Sequence, residues 1–285
     1  MIVKCSDIPA IHVTDRYAVI GNPVNHSKSP LIHGCFARAT AQDMSYGLLE
    51  ATSETFANTM RAFRDGGARG LNVTLPFKLL AFALADAHST RARDAGAANA
   101  LKFDAGRIYA ENFDGVGLVT DLQQNLECAI AGRRVLVLGA GGATRGIVPA
   151  LLDAAPAELV IANRDVSKAQ HIAVEHGRRG SIRAASYQQI QPLGFDLLIN
   201  ASSASLADVS PPVTAAAFAP GCLAYDLAYG KGLTPFLQRA QSAGASRLAD
   251  GLGMLVEQAA STFEWWRGVR PDTGPVIAQL TKDGR

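Results

Sequence analysis

The feature that most constrains this chain is an apolar run that leads directly into a glycine-rich turn, VLVLGAGG at residues 135–142. Four consecutive apolar residues are typical of a strand that is buried on both faces of a parallel sheet. A helical pattern follows the turn, so we expect backbone amides at the helix start to bind phosphate groups. Thr144 occupies the third glycine position of this pattern, which is therefore incomplete. The predicted phosphate loop comprises Gly139, Ala140, Gly141, Gly142 and Ala143.

Short β-rich segments recur beyond this loop, and helical patterns fill several of the gaps between them. We predict strands at residues 134–138, 158–162, 181–185, 196–199, 222–226 and 246–248. This alternation is typical of a doubly wound parallel sheet. The predicted fold class is α/β with two domains, an N-terminal α/β catalytic domain and a Rossmann-type dinucleotide-binding domain.

The N-terminal part of the chain also alternates strand and helix patterns. We predict helices from residues 30 and 53, and strands at residues 17–20, 70–74, 97–101 and 107–111. A helix at 115–129 is expected to bridge the two domains. The predicted division assigns residues 1–114 and 251–285 to the catalytic domain and residues 115–250 to the dinucleotide-binding domain.

The residues after the second strand of the dinucleotide domain indicate which dinucleotide is bound. Sites for NAD usually carry a carboxylate here, which binds the ribose 2′-hydroxyl. This chain has Asn163 followed by Arg164 and Lys168, whose positive charges suit a 2′-phosphate. The sequence therefore favours NADP, although Asp165 would repel the phosphate if its side chain turned inward.

Composition excludes several other classes of protein. The 27 basic and 25 acidic side chains nearly cancel, so a nucleic acid or membrane surface is not an expected partner. The four cysteines form no C-x-x-C pair, and His171 and His176 lack the spacing of a metal-binding helix, so we predict no metal site. The first residues lack the apolar stretch of a signal peptide, and a cytoplasmic protein is the expectation.

Three polar stretches of the N-terminal part suggest chemistry. In GNPVNHSKSP at 21–30, Ser27 and Ser29 are placed to bind a carboxylate, although Ser29 before a proline is equally suited to cap a helix. In NVTLPFK at 72–78, Lys78 stands near a helix start, where the positive end of the helix dipole favours loss of its proton. In ENFDGVG at 111–117, Asp114 begins a helix and is either a cap or a functional carboxylate.

Together with ADGLGMLVEQA at 249–259, these motifs resemble the shikimate dehydrogenase family in their order and spacing. The resemblance covers residues 17–280. It implies a substrate cleft between a catalytic domain and a nucleotide domain, and interconversion of shikimate and 3-dehydroshikimate with NADP. Some members of the family prefer quinate or NAD.

The resemblance also assigns roles to individual residues. Lys78 and Asp114 correspond to the catalytic pair. The residues implied to bind substrate are Ser27, Ser29, Thr74, Asn99, Asp114, Tyr229 and Gln258. The residues implied to bind the cofactor are the phosphate loop, Asn163, Arg164, Lys168, Ala201, Ser202, Leu227 and Gly251. Ala201 and Ser202 belong to a turn, Asn200 to Ser203, that resembles the family's turn near the cofactor.

Two positions depart from the family pattern. Ala100 and Phe113 both stand where the family usually has threonine. Phe113 precedes the catalytic Asp114, and its ring would either close part of the pocket or turn away from it. On the first alternative, shikimate turnover is weakened and Phe113→Thr raises kcat/KM for shikimate.

Two other functions remain open at this point. One is a dehydrogenase of quinate or a related polyol acid that uses the same residues. The other is a ligand-binding sensor on the same scaffold, against which the retention of both Lys78 and Asp114 argues. The expected partner is a small carboxylated ring polyol, and the expected assembly is a monomer or a homodimer.

Overall fold

The computed structural model describes residues 14–190, 194–202, 204, 209–230 and 232–283. Cys5, Ser203 and the predicted start of the catalytic domain lie outside the described residues. Within the described part of the chain, two six-stranded sheets lie one after the other along the sequence. No helix of that part is long and apolar enough to cross a membrane, and no cluster of three or more potential metal ligands occurs in it.

The first sheet is mixed and has the strand order β2-β1-β3-β5-β6-β4. Its strands are β1 (Asp15–Gly21), β2 (Met44–Glu50), β3 (Gly70–Val73), β4 (Ala87–His88), β5 (Ala100–Asp104) and β6 (Arg107–Glu111). Strands β1, β2 and β3 run parallel to one another, whereas β5 is antiparallel to β3 and β6. The helices of this part are α1 (Ser29–Ala39), α2 (Phe56–Asp65), α3 (Lys78–Leu84) and α4 (Thr90–Ala95).

The second sheet is parallel throughout and has the order β12-β11-β10-β7-β8-β9. Its strands are β7 (Arg134–Leu138), β8 (Glu158–Ala162), β9 (Ile182–Ala185), β10 (Phe195–Asn200), β11 (Phe218–Asp226) and β12 (Arg247–Asp250). The order reverses between β7 and β10, which is the switch point of a doubly wound sheet and the usual place for a dinucleotide. The helices are α6 (Gly142–Asp153), α7 (Val166–His176) and α8 (Pro235–Ser242).

The apolar run in β7 supplies the cores on both faces of this sheet. Val135 and Val137 pack in one cluster of buried side chains, and Leu136 and Leu138 pack in the other. The prediction of a strand buried on both faces is confirmed, and so is the predicted α/β fold class.

The segments between and after the sheets connect the two halves of the molecule. Helix α5 (Asp114–Thr120) follows β6, and α9 (Leu252–Arg267) and α10 (Gly274–Asp283) follow β12. Helix α9 packs beside α5 and also beside α1, where Phe36 and Phe263 share a core. The end of the chain therefore returns to the first sheet.

The predicted and the observed elements differ in several places. The strand expected at 97–101 begins later, at Ala100, although the backbone of Asn99 already bonds to Val73 and Glu111 of the two neighbouring strands. The helix expected at 115–129 ends as α-helix at Thr120 and continues as one π-helical turn to Asn125. No strand was predicted at β2, whose residues are mostly half-exposed or exposed.

Candidate active site

A cleft at the carboxyl ends of β1 and β3 collects the polar residues that the sequence singled out. It is lined by Val19, Ser27, Ser29, Asn72, Val73, Thr74, Lys78, Asn99, Asp114, Tyr229, Gly251, Met254, Leu255 and Gln258. Every predicted substrate-binding residue lies in this cleft. Tyr229 and Gly251 reach it from the loops after β11 and β12, so both sheets contribute to its walls.

Lys78 and Asp114 form an ion pair in this cleft. The Lys78 Nζ lies 2.5 Å from Asp114 Oδ2, and the side chains retain only 17% and 6% of their exposure. Lys78 is the first residue of α3, as predicted, and Asp114 is the first residue of α5. The helix cap of α5 is Phe113, so Asp114 is not a cap and its carboxylate is available for the cleft.

Asn99 fixes the other oxygen of Asp114. The backbone N–H of Phe113 donates to Asn99 Oδ1 at 2.9 Å, and this contact orients the amide because a backbone N–H can only donate. The Asn99 Nδ2 group therefore faces Asp114 Oδ1 at 2.8 Å and Gln258 Oε1 at 3.2 Å. Because the Gln258 oxygen accepts this bond, its Nε2 group is left to donate, and one donation goes to the Leu255 carbonyl at 3.0 Å.

Ser27 and Ser29 place two further hydroxyls in the cleft. Their Oγ atoms lie 3.2 Å apart, and the Ser29 N–H donates to Ser27 Oγ at 3.3 Å. The cap residue of α1 is Lys28, which makes no capping hydrogen bond through its side chain. The alternative in which Ser29 caps the helix is wrong, because Ser29 is already inside the helix.

The glycine-rich turn has the shape that a pyrophosphate needs. Gly139 has a φ of +104°, which favours glycine, and an added Cβ would press on the Ser202 backbone at 3.1 Å. An added Cβ on Gly141 or Gly142 would instead meet no atom within 4 Å, so open space lies in front of the helix start. Thr144 is buried, and its hydroxyl donates to the Gly139 carbonyl at 2.9 Å. The incomplete glycine pattern is therefore compensated by a side chain that closes the loop.

The residues predicted to select NADP lie at the end of β8. Arg164 and Lys168 are exposed, and within the described part of the chain neither makes an ion pair with a carboxylate. Asp165 caps α7, accepting hydrogen bonds from the Ser167 N–H at 3.1 Å and the Ser167 hydroxyl at 2.5 Å. The Ser167 hydroxyl also holds the pKa of the Asp165 carboxyl below its usual value. The Asp165 carboxylate therefore caps its own helix. The alternative in which it turns inward and repels the phosphate is not observed.

Models of protein families match three parts of the chain. The shikimate dehydrogenase substrate binding domain matches residues 19–101, shikimate / quinate 5-dehydrogenase matches residues 121–220, and the shikimate 5'-dehydrogenase C-terminal domain matches residues 251–281. A shikimate dehydrogenase (NADP(+)) of Chromobacterium violaceum is 52% identical over 94% of this chain and 98% of its own length. The chain belongs to the shikimate dehydrogenase family.

Solved structures of similar proteins agree with this assignment. An Ael1 enzyme from Pseudomonas putida is 55% identical, with a TM-score of 0.88 over 93% of this chain and 98% of that chain. A shikimate 5-dehydrogenase from Thermus thermophilus, solved in complex with NADP(H) and shikimate, is 31% identical, with a TM-score of 0.84 over 95% of this chain and 100% of that chain.

Neither departure from the family pattern faces the cleft. Ala100 is fully buried within β5. Phe113 is 5% exposed, and its ring packs against Trp265 and Arg91 rather than against the cleft. The alternative in which Phe113 closes the pocket is therefore wrong, and the predicted gain from Phe113→Thr loses its basis.

The loops after β10 and β11 are shaped by buried polar contacts. The Asn200 side chain accepts from the Ser202 N–H at 3.1 Å and donates to Asp226 Oδ1 at 3.0 Å. An added Cβ on Gly251 would collide with the carbonyl of Leu227, so a side chain cannot be accommodated there without movement. Gly251 lines the cleft, whereas the roles of Ala201, Ser202 and Leu227 beside the cofactor stay predictions.

Three side chains in or near the cleft, Tyr46, Asn72 and Asn112, were not among the predicted site residues. The Tyr46 hydroxyl donates to Asn72 Oδ1 at 2.7 Å, and burial raises the pKa of Tyr46 well above its usual value, so the hydroxyl stays protonated. Asn112 accepts from the Asp114 N–H at 3.0 Å. Asn72 and Asn112 belong to motifs that the sequence displays, whereas Tyr46 lies in a strand that no pattern indicated.

Proposed function

We propose that this protein catalyses the NADP-dependent interconversion of shikimate and 3-dehydroshikimate. The observation that carries this proposal is the Lys78–Asp114 ion pair, which lies in a cleft that also presents the hydroxyls of Ser27 and Ser29. The sequence identity of about half with a shikimate dehydrogenase (NADP(+)) over nearly the whole chain supports the same substrate and cofactor.

The cleft contains groups suited to a carboxylated ring polyol. The Ser27 and Ser29 hydroxyls would donate to the substrate carboxylate, and charge-assisted hydrogen bonds of this kind are stronger than neutral ones. Thr74, Asn99 and Gln258 would bind ring hydroxyls from the other side. Tyr229 would add a donor at the rim, because burial raises the pKa of this residue and keeps its hydroxyl protonated.

The Lys78–Asp114 pair would move the proton. In the oxidation direction the Lys78 Nζ, in its neutral form, would accept the proton of the substrate hydroxyl as the hydride leaves for NADP. In the reduction direction the Lys78 ammonium would return the proton to the carbonyl oxygen. Asp114 holds the Lys78 Nζ in place, while Asn99 and Asn112 hold Asp114. Positioned acid–base groups of this kind contribute about 10²–10⁴-fold to the rate.

The residues present also fit NADP. The backbone of Gly141 and Gly142 opens toward free space at the start of α6, where phosphates would bind. Asn163, Arg164 and Lys168 would hold the 2′-phosphate. NADP, when bound, supplies the hydride acceptor for the oxidation.

A substrate panel tests the proposal directly. The purified protein is mixed with shikimate or quinate and with NADP or NAD, and the absorbance of the reduced nicotinamide is followed. We expect the highest kcat/KM for shikimate with NADP. A higher kcat/KM for quinate would assign the chain to the quinate branch of the family, and binding of shikimate without turnover would assign it to the sensors.

We also propose the domain division 1–114 plus 251–285 and 115–250, which is supported by the packing of α9 and α10 on α1. We propose a cytoplasmic location, since Cys35, Cys128 and Cys222 are free thiols, as is usual in a reducing compartment. A monomeric or homodimeric assembly stays a prediction.

A further inference from the structure

The Phe113 ring packs against the side chains of Trp265 and Arg91. Trp265 of α9 meets it edge to face, with ring centroids 6.0 Å apart. The guanidinium of Arg91 in α4 lies 5.1 Å from the centre of the ring. Both contacts are favourable for an aromatic ring, which has a negative face and a positive edge.

Arg91 is itself fixed by a buried carboxylate. Its Nη2 lies 2.6 Å from Glu111 Oε2, and its Nε lies 3.2 Å from Glu111 Oε1. The same Oε1 accepts from the Ser89 hydroxyl at 2.6 Å and from the Asn112 N–H at 2.7 Å. The two-point geometry fixes the guanidinium plane under the Phe113 ring.

The backbone N–H of Phe113 connects this residue to the side chains of the cleft. The Phe113 N–H orients the Asn99 amide, whose Nδ2 group then donates to both Asp114 and Gln258. A shift of the Phe113 backbone would therefore move the Asn99 amide. That movement would disturb the bonds of Asn99 to Asp114 Oδ1 and to Gln258 Oε1 together. The contacts of the ring with α4 and α9 restrict such a shift.

We propose that Phe113 is a positioning residue for the Lys78–Asp114 pair, acting through its backbone bond to Asn99. This inference rests on the proposed function for its kinetic test. It assigns a role to one of the two positions where the chain departs from the family pattern. It also predicts that Phe113→Thr lowers the activity with shikimate, whereas the sequence alone led us to expect a rise in kcat/KM.

Three variants and a matched control test the inference. Phe113→Leu and Phe113→Thr remove the ring contacts, whereas Phe113→Tyr keeps an aromatic ring at the same position. The control is Phe103→Leu in β5, because Phe103 has the same 5% exposure and belongs to the core of the first sheet. Melting temperature, kcat, the KM for shikimate and the pH profile of kcat are measured for each protein.

We expect Phe113→Leu and Phe113→Thr to lower kcat by about tenfold or more, since small misplacements of reacting groups are costly. Their pH profile of kcat should shift, and Phe113→Tyr should restore most of the activity. Phe103→Leu should lower the melting temperature while kcat and its pH profile stay at wild-type values. A folded Phe113→Thr with wild-type kcat and pH profile would overturn the inference.

A crystal structure of Phe113→Leu separates this inference from the proposed function. If the wild-type protein does not turn over shikimate, the proposed function fails while the structural comparison still decides the positioning role. Loss of the 2.8 Å contact between Asn99 Nδ2 and Asp114 Oδ1 would support it. An unchanged contact in the variant would reject it.

Discussion

Lys78 Nζ and Asp114 Oδ2 lie 2.5 Å apart, although 36 residues separate the two in the sequence. The ammonium begins α3 and the carboxylate begins α5, so each is placed by the start of a different helix. A second oxygen of the same carboxylate accepts from Asn99. The pair is therefore held from several sides before any ligand enters the cleft.

The first prediction concerns this pair. Lys78→Met and Asp114→Asn should each lower kcat for shikimate by about 10²–10⁴-fold, because each removes one member of the proton-transfer pair. Steady-state kinetics and circular dichroism check the activity and the fold. Lys282→Met in α10 serves as the lysine control. Near wild-type kcat in a folded Lys78→Met would exclude the proposed proton transfer.

The second prediction concerns Ser29. Ser29→Ala should raise the KM for shikimate by about tenfold or more, because a hydrogen bond to a charged group contributes about 1.5–3 kcal/mol. The melting temperature should change little, since Ser29 does not cap α1. Thr234→Ala removes the cap of α8, at 3.3 Å from the Leu237 N–H, together with a 2.6 Å bond to the buried Asp226, and so gives an upper bound on the melting-temperature change for a lost cap. An equal loss of stability in Ser29→Ala with unchanged KM would restore the capping role.

The third prediction concerns cofactor choice. Replacing Arg164 and Lys168 together by alanine should lower kcat/KM for NADP by about tenfold or more, because two charge-assisted contacts with the 2′-phosphate are lost. The kcat/KM for NAD should stay close to its wild-type value. Replacing Arg178 and Lys282 together by alanine, two exposed cations beyond α7 and in α10, is the control for the same change in net charge. An equal loss for both cofactors would place these cations outside the phosphate site.

The fourth prediction concerns the pH dependence of stability. His33 is fully buried, its ring is stacked 4.3 Å from that of Tyr46, and burial lowers its pKa to about 3 from the usual 6.5. Below a pH of about 6.5 the unfolded chain binds a proton that the folded chain does not, so stability is lost as the pH falls toward 3.

Urea denaturation of His33→Leu measures this effect. From about pH 7.5 to about pH 5.5, the wild type should lose about 1.4 kcal/mol more unfolding free energy than the variant, from this one group. His171→Leu, at an exposed position of α7, should keep the wild-type pH dependence. Parallel curves for the wild type and His33→Leu would show that His33 titrates normally.

Local sequence patterns were sufficient to predict an element where its structure depends on neighbouring residues in the chain. The strands β7 and β8 were predicted with their observed bounds, since a run of apolar residues fits a strand covered on both faces. Strand β2 was not predicted. It is an edge strand whose residues are all half-exposed or exposed, so its apolar pattern is weak.

The doubly wound sheet, the glycine turn and most of the polar residues of the cleft could be predicted from the amino-acid sequence. What their side chains face could not: Ser29 and Asp114 are not caps, Asp165 caps α7, and Phe113 points toward Arg91 and Trp265. The physical reason is that a motif fixes the backbone through local hydrogen bonds, whereas the direction of a side chain depends on partners that distant elements bring to it. For Phe113 those partners come from α4 and α9, on either side of it in the chain, and no local pattern contains them.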